Sequence, residues 1–200
     1  GGSACAKALS NHPKFSITLV ERNNHHLFQP LLYQVATSSL AAPDIACSVR
    51  QIFRDSRNVT VLMDEIRDLG IEVNSATGAS GDHYPWDYLV MAVGAKTSFF
   101  GNPKWEQHTL GLKTLADAQG VRRQVLACLE QAERTDDPAE RKRLMTVAIV
   151  GGGPTGVELS GAFVDLVHRS MKGEFRRIDT SDLRVILIEA GNRLLSPYDE

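Results

Sequence analysis

An α/β fold is predicted, built from two copies of a strand–glycine turn–helix–strand unit with parallel strands. Three observations lead to it. First, the apolar, β-branched run Thr146–Val150 enters the turn Gly151-Gly-Gly-Pro-Thr-Gly156, a helix follows over about 157–167, and a strand over 183–188 ends on Glu189. Second, the same order recurs at the start of the chain, with Gly1-Gly2, a helix beginning over 4–9, a strand over 15–20 and then Glu21. This copy lacks only its opening strand and the front of its turn, so the chain reads as part of a longer polypeptide, truncated at both ends. Third, no low-complexity linker separates the copies.

Each intervening element has its own signal. Val59–Met63, 66–69, 71–73 and Tyr84 read as short strands with turns at Gly70 and between Gly78 and Gly81, which predicts a small antiparallel meander. The run 87–94, Asp-Tyr-Leu-Val-Met-Ala-Val-Gly, has the pattern of a buried strand closed by glycine. Over 114–133, Leu115, Ala118, Val121, Val125, Leu129 and Ala132 recur at helical spacing, with Gly120 inside the pattern. Asp137-Pro138-Ala-Glu140 reads as a helix start, with an Asp cap and Pro in the first turn.

Composition excludes several classes. The 22 Lys+Arg against 24 Asp+Glu give a net charge of −2, so there is no basic excess to neutralise a nucleic-acid backbone. No apolar run reaches the roughly 20 residues of a membrane-spanning helix. Cys5, Cys47 and Cys128 form neither a CxxC pair nor a zinc spacing, which argues for a reducing compartment and against a dithiol relay.

The chemistry lies in the glycine turn. Gly151, Gly153 and Gly156 satisfy G-x-G-x-x-G between a strand and a helix, the context that marks a dinucleotide turn. The first glycine permits the bend, the second lets a pyrophosphate approach the backbone, and the third lets helix pack on strand. Glu189 is placed to accept ribose hydroxyls, and a carboxylate there repels a 2′-phosphate, favouring NADH over NADPH. It lies 33 residues after Gly156, where roughly 20 is usual. The excess, around 169–182, reads as an insertion, and Arg193 just beyond tempers the cofactor preference. Glu21 lies 19 residues after Gly2. Two dinucleotide sites in one redox chain suit one flavin and one nicotinamide, since hydride can pass from nicotinamide C4 to flavin N5.

These stretches, together with Asn24-His-His-Leu-Phe-Gln-Pro-Leu-Leu-Tyr-Gln-Val-Ala36 and Phe99-Phe-Gly101, resemble the type II (non-proton-pumping, single-subunit) NADH dehydrogenases of the two-dinucleotide-binding flavoprotein superfamily. The resemblance covers essentially the whole chain. It implies two Rossmann-like FAD- and NAD(P)-binding domains, over 1–108 for FAD and 109–200 for NADH. Gly1 and Gly2 then look like the last glycines of the FAD turn, Glu21 like the ribose ligand with Arg22 beside it, and Gln34 like a flavin contact. Ile66 sits where the family gives backbone contacts to the adenine. Ala92 and Gly94 match the family's Ala-Thr-Gly turn near FAD, with Val93 in place of Thr. Gly151, Gly152, Gly153, Pro154, Thr155, Gly156 and Glu189 look like the NADH site.

Glu158, the candidate catalytic residue, is placed in the first helical turn, where a carboxylate caps the helix dipole, positions the nicotinamide, or tunes charge and proton delivery near the reduced flavin. His25-His26 reads as packing beside the flavin rather than as a metal site, Phe99-Phe100 as core, and Arg176-Arg177 as a solvated face. The resemblance implies an NADH:quinone oxidoreductase that reduces a membrane quinone. It also implies attachment to the cytosolic face of the inner (cytoplasmic) membrane through a C-terminal region beyond residue 200, with a homodimer left open. Residues 1–200 alone are expected to bind FAD poorly and to turn over no quinone. The alternatives are a ferredoxin- or rubredoxin-type NADH reductase and a non-catalytic dinucleotide-binding module.

Overall fold

The computed structural model describes residues 1–99 and 101–196; Phe100, part of the expected Phe99-Phe100 core pair, and 197–200 lie outside the described residues. In chain order the elements are α1 (Gly2–Ala8), β1 (Ile17–Glu21), β2 (His25–Leu27), α2 (Leu32–Ala36), α3 (Ala42–Ile45), β3 (Ala46–Ser48), α4 (Val49–Ile52) and β4 (Val59–Met63). Strands β5 (Ile66–Gly70), β6 (Ser75–Gly78) and β7 (His83–Pro85) follow, then α5 (Leu115–Arg134), α6 (Pro138–Leu144), β8 (Thr146–Val150), α7 (Pro154–Asp165) and β9 (Arg184–Ile188). The chain forms two compact units, one of residues 1–27 and 46–96, the other of 28–45 and 97–200.

In the first unit β1 pairs parallel with β4, from Ile17 opposite Val59 to Glu21 opposite Met63. Ile17, Leu19, Val59 and Val61 alternate along the two strands and pack on Ala6, Val49 and Phe53. Asn58 closes the end of α1: its side-chain amide donates to the carbonyls of Leu9, His12 and Phe15 at 3.0, 3.3 and 3.1 Å. The antiparallel meander is β5–β6–β7. Its organiser is Asp64, whose Oδ2 accepts the hydroxyls of Ser80 at 2.6 Å and Tyr84 at 2.7 Å. Those two hydroxyls hold its carboxyl at about 2, well below its ordinary 3.8.

Three sequence expectations need correction here. Val59–Met63 belongs to the parallel pair, because its alternate valines complete the α1–α4 core. The stretch 71–73 is a turn closed by Val73 N–H on the Gly70 carbonyl, with Asn74 at φ 49°, and the second meander strand is Ser75–Gly78. Residues 87–94 form no strand; Tyr88 and Val93 are 84% and 86% exposed. A buried parallel strand needs ladder neighbours, and among the described residues this run has none.

In the second unit α5 starts at a reciprocal cap. Thr114 Oγ1 accepts Asp117 N–H at 3.1 Å, and Asp117 Oδ2 accepts Thr114 N–H at 2.8 Å. Its buried face carries Ala118, Val125, Leu129 and Ala132, and α2 packs on both α5 and α7 through Leu32, Val35 and Ala36. The 169–182 insertion is tied to α5 by Glu133, whose carboxylate accepts the backbone amides of Arg176, Arg177 and Ile178. Strands β8 and β9 run parallel in register, Thr146 opposite Arg184 through Val150 opposite Ile188, with α7 between them in sequence.

Candidate functional site

The glycine turn forms because two of its positions, Gly151 and Gly156, tolerate no side chain, each for a different reason. Gly151 lies at φ 110°, a conformation that strains any L-residue. Its N–H extends the ladder, donating to the Ile188 carbonyl at 2.8 Å. A Cβ on Gly156 would sit 1.9 Å from the Gly151 carbonyl oxygen, so α7 crosses β8 only with glycine there. Gly153 is the opposite case: a Cβ would meet nothing within 4 Å. The space above Gly153 is open, and Gly153 is the N-cap of α7 without a side-chain cap.

α7 begins at Pro154, whose missing N–H falls where no intrahelical acceptor exists. The first-turn amides of Thr155 and Gly156 are likewise beyond intrahelical reach. A capless N-terminus with open space over a glycine is suited to a phosphate group.

Glu189, at the end of β9, turns back onto the turn. Its Oε2 accepts Gly152 N–H at 2.6 Å and its Oε1 accepts Gly191 N–H at 2.8 Å. The Gly191 amide, then the Gly152 amide, hold its carboxyl below the usual glutamate range. An ionised carboxylate with unused lone pairs beside the turn can accept ribose hydroxyls. The free amides at the head of α7 and the accepting Glu189 carboxylate therefore fit the adenosine diphosphate half of a dinucleotide.

Glu158 is placed differently from the sequence reading. Because α7 starts at Pro154, Glu158 is its fifth residue and lies past the first turn, so dipole capping does not account for it. It is exposed.

In the first unit, a Cβ on Gly2 would lie 3.0 Å from the Ala92 side chain and one on Gly1 3.6 Å from it, so these candidate residues are brought together. Gly94 follows at φ 71°. Glu21 ends β1, and its Oε1 accepts the Asn23 backbone and side-chain amides at 3.2 and 3.4 Å. Arg22 is exposed, and Ile66 opens β5 opposite Gly78. Gln34 lies on α2 in the other unit, where its side chain donates to the Tyr33 hydroxyl at 3.1 Å.

The sequence reading missed the segment after Glu189. Leu195 N–H donates to the Gly152 carbonyl at 2.8 Å, Leu195 sits at φ 53°, and a Gly152 Cβ would meet the Leu194 side chain at 2.6 Å. No local signal marks this, since Leu is a poor indicator of a left-handed conformation.

The chain resembles known proteins along its whole length. It is 42% identical over 200 residues to the type II NADH:quinone oxidoreductase NdhA of Mycobacterium tuberculosis (strain ATCC 25618 / H37Rv), covering 98% of this chain and 42% of that protein. The type II NADH:quinone oxidoreductase Ndh of the same organism is 40% identical over 200 residues, covering 98% and 43%. Among solved structures, NDH2 from Plasmodium falciparum in complex with NADH superposes with a TM-score of 0.86 at 27% identity, over 96% of this chain and 40% of that one. The chain thus spans about two-fifths of the length of these relatives. Residues 1–200 match the family model for the pyridine nucleotide-disulphide oxidoreductases, and the chain belongs to that family.

Proposed function

We propose that the chain is the part of an FAD-dependent NADH:quinone oxidoreductase that carries FAD-binding residues within 1–108 and NADH-binding residues within 109–200. The observation that carries this reading is the Glu189 carboxylate bonded to Gly152 N–H beside the open face of Gly153. The mycobacterial relatives, named for that activity, support the acceptor. When bound, FAD would accept hydride from NADH and pass two electrons to a quinone, without proton pumping.

The chain's own residues bind and orient. Backbone amides at the head of α7 receive the NADH pyrophosphate, and Glu189 holds the adenosine ribose and repels a 2′-phosphate. Gly1, Gly2, Glu21, Arg22, Ile66, Ala92 and Gly94 serve FAD, with Gln34 toward the flavin. Glu158, exposed on the second turn of α7, positions the nicotinamide rather than capping the helix. The whole protein acts on a membrane quinone from the cytosolic face of the cytoplasmic membrane, held by a region outside residues 1–200, and a homodimer is compatible with it.

Stopped-flow reduction of the flavin in the full-length protein, followed by turnover with a short-chain quinone, tests this. Fast bleaching by NADH, slow bleaching by NADPH and quinone-dependent turnover are expected, with slower bleaching or weaker NADH binding in Glu158→Gln. NADH binding without bleaching would instead identify a non-catalytic nucleotide module. Turnover only with an iron–sulfur or rubredoxin-type acceptor would overturn the quinone.

A further inference from the structure

Gly152 is held on both sides by the segment that follows β9. Its N–H donates to Glu189 Oε2 at 2.6 Å, and its carbonyl accepts Leu195 N–H at 2.8 Å. Each bond fixes one peptide plane. In a trans peptide the carbonyl and the following N–H point in opposite directions. Glu189 therefore turns the Gly151 carbonyl away from itself, and that oxygen indeed lies against Gly156, 1.9 Å from where a Cβ would be. By the same geometry, Leu195 draws the Gly152 carbonyl toward the 190–196 turn and sends the Gly153 N–H to the opposite side. A Gly153 Cβ meets nothing within 4 Å, so the glycine is unobstructed where a ligand would approach.

Leu195 makes its bond from φ 53°, a conformation that disfavours a non-glycine residue. Its turn is closed by Arg193 Nη2 donating to the Ser196 carbonyl at 2.8 Å, and Leu194 lies over Gly152. A left-handed leucine persists only where surrounding contacts over-determine it.

We propose that Leu195 is a positioning residue of the nucleotide site: its backbone amide locks the Gly152–Gly153 peptide so that the Gly153 N–H is presented to the diphosphate of the bound dinucleotide. This rests on reading residues 151–156 as the pyrophosphate turn. Leu195 acts through its backbone amide on the Gly152 carbonyl. The strain at φ 53° is thereby used to preorganise a donor before the ligand arrives.

The consequence is an unusual ranking of substitutions. Glycine at 195 keeps the amide and adopts the left-handed conformation freely. Valine keeps the amide and the apolar side chain, but its β-branch disfavours that conformation. Proline removes the amide and excludes positive φ. In the full-length, flavin-loaded protein, inhibition constants of ADP and of adenosine against NADH are measured for wild type, Leu195→Gly, Leu195→Val and Leu195→Pro. Flavin content checks the fold.

Leu195→Gly should bind ADP within about twofold of wild type, and Leu195→Val about tenfold more weakly. Leu195→Pro should be weaker still, while adenosine changes little throughout. If valine matches wild type and glycine is the weak variant, Leu195 works by side-chain packing and the proposal is wrong. Equal losses for ADP and adenosine would also overturn it, even if the proline variant fails to fold and only glycine and valine are compared. If wild type itself shows no preference for ADP over adenosine, the pyrophosphate reading fails, and the proposal with it.

Discussion

Gly156 carries the tightest constraint in the turn. A methyl group there would overlap the Gly151 carbonyl oxygen, which is backbone and cannot rotate aside. Either α7 moves off β8 or the turn opens, and both displace the first-turn amides. Gly156→Ala should therefore lower stability by about 1–3 kcal/mol and weaken NADH binding together, as overpacking does. Thermal melting and NADH titration of the same preparation check it; an unshifted melting temperature would count against the close crossing. Glu189 shows how one carboxylate can be structural and receptive at once. It orders the turn through Gly152 and the following loop through Gly191, which is why removing it would blur two effects. The sequence placed Glu189 by chain order alone, despite a spacing of 33 residues from Gly156.

α7 illustrates how an element is fixed at one end by chemistry and at the other by packing. Its start is set by Gly153 and Pro154, and its buried side by Leu159 and Phe163. Phe163 is 1% exposed, among the largest fully buried side chains of the described residues. Phe163→Ala should cost about 3–5 kcal/mol, the range for aromatic truncation in a packed core. Chemical denaturation reads this directly, and a loss under 1 kcal/mol would mean that neighbours collapse into the cavity. The 169–182 insertion is likewise anchored rather than loose, through the amides accepted by Glu133. Burial pushes that carboxyl up, but the three amides and Arg177 outweigh it and leave it lowered.

Five carboxylates spread over the described residues are shifted in the same direction. Asp64, Glu133, Glu140, Asp179 and Glu189 are all held below their ordinary values. A carboxyl lowered by folding binds its proton more readily when unfolded, so its contribution is present above the unfolded value and is lost as pH falls through the folded one. The stability from these groups should be intact above 4.5 and decline as pH falls toward about 2, where Asp64 protonates. Melting temperature against pH should show this acid limb. Asp64→Asn should lower stability at neutral pH and flatten the lower part of the limb. A limb unchanged by that substitution would mean that Asp64 does not organise the meander.

The sequence by itself determined the β8–α7–β9 unit, the run of α5 and the start of α6. Their signals are local: glycines where a Cβ is forbidden, an Asp-Pro start, and alternation or helical spacing within one stretch. Only the tertiary structure decided which strand pairs with which. Val59–Met63 looks the same in sequence whether it joins a meander or a parallel pair, and the core of Ala6, Val49 and Phe53 chose the second. Residues 87–94 carry a strand pattern, yet a strand exists only with a partner. The hold of Leu195 on Gly152 is a contact between positions 43 residues apart, made by backbone atoms that every residue type possesses. Composition and spacing carry no record of such a bond.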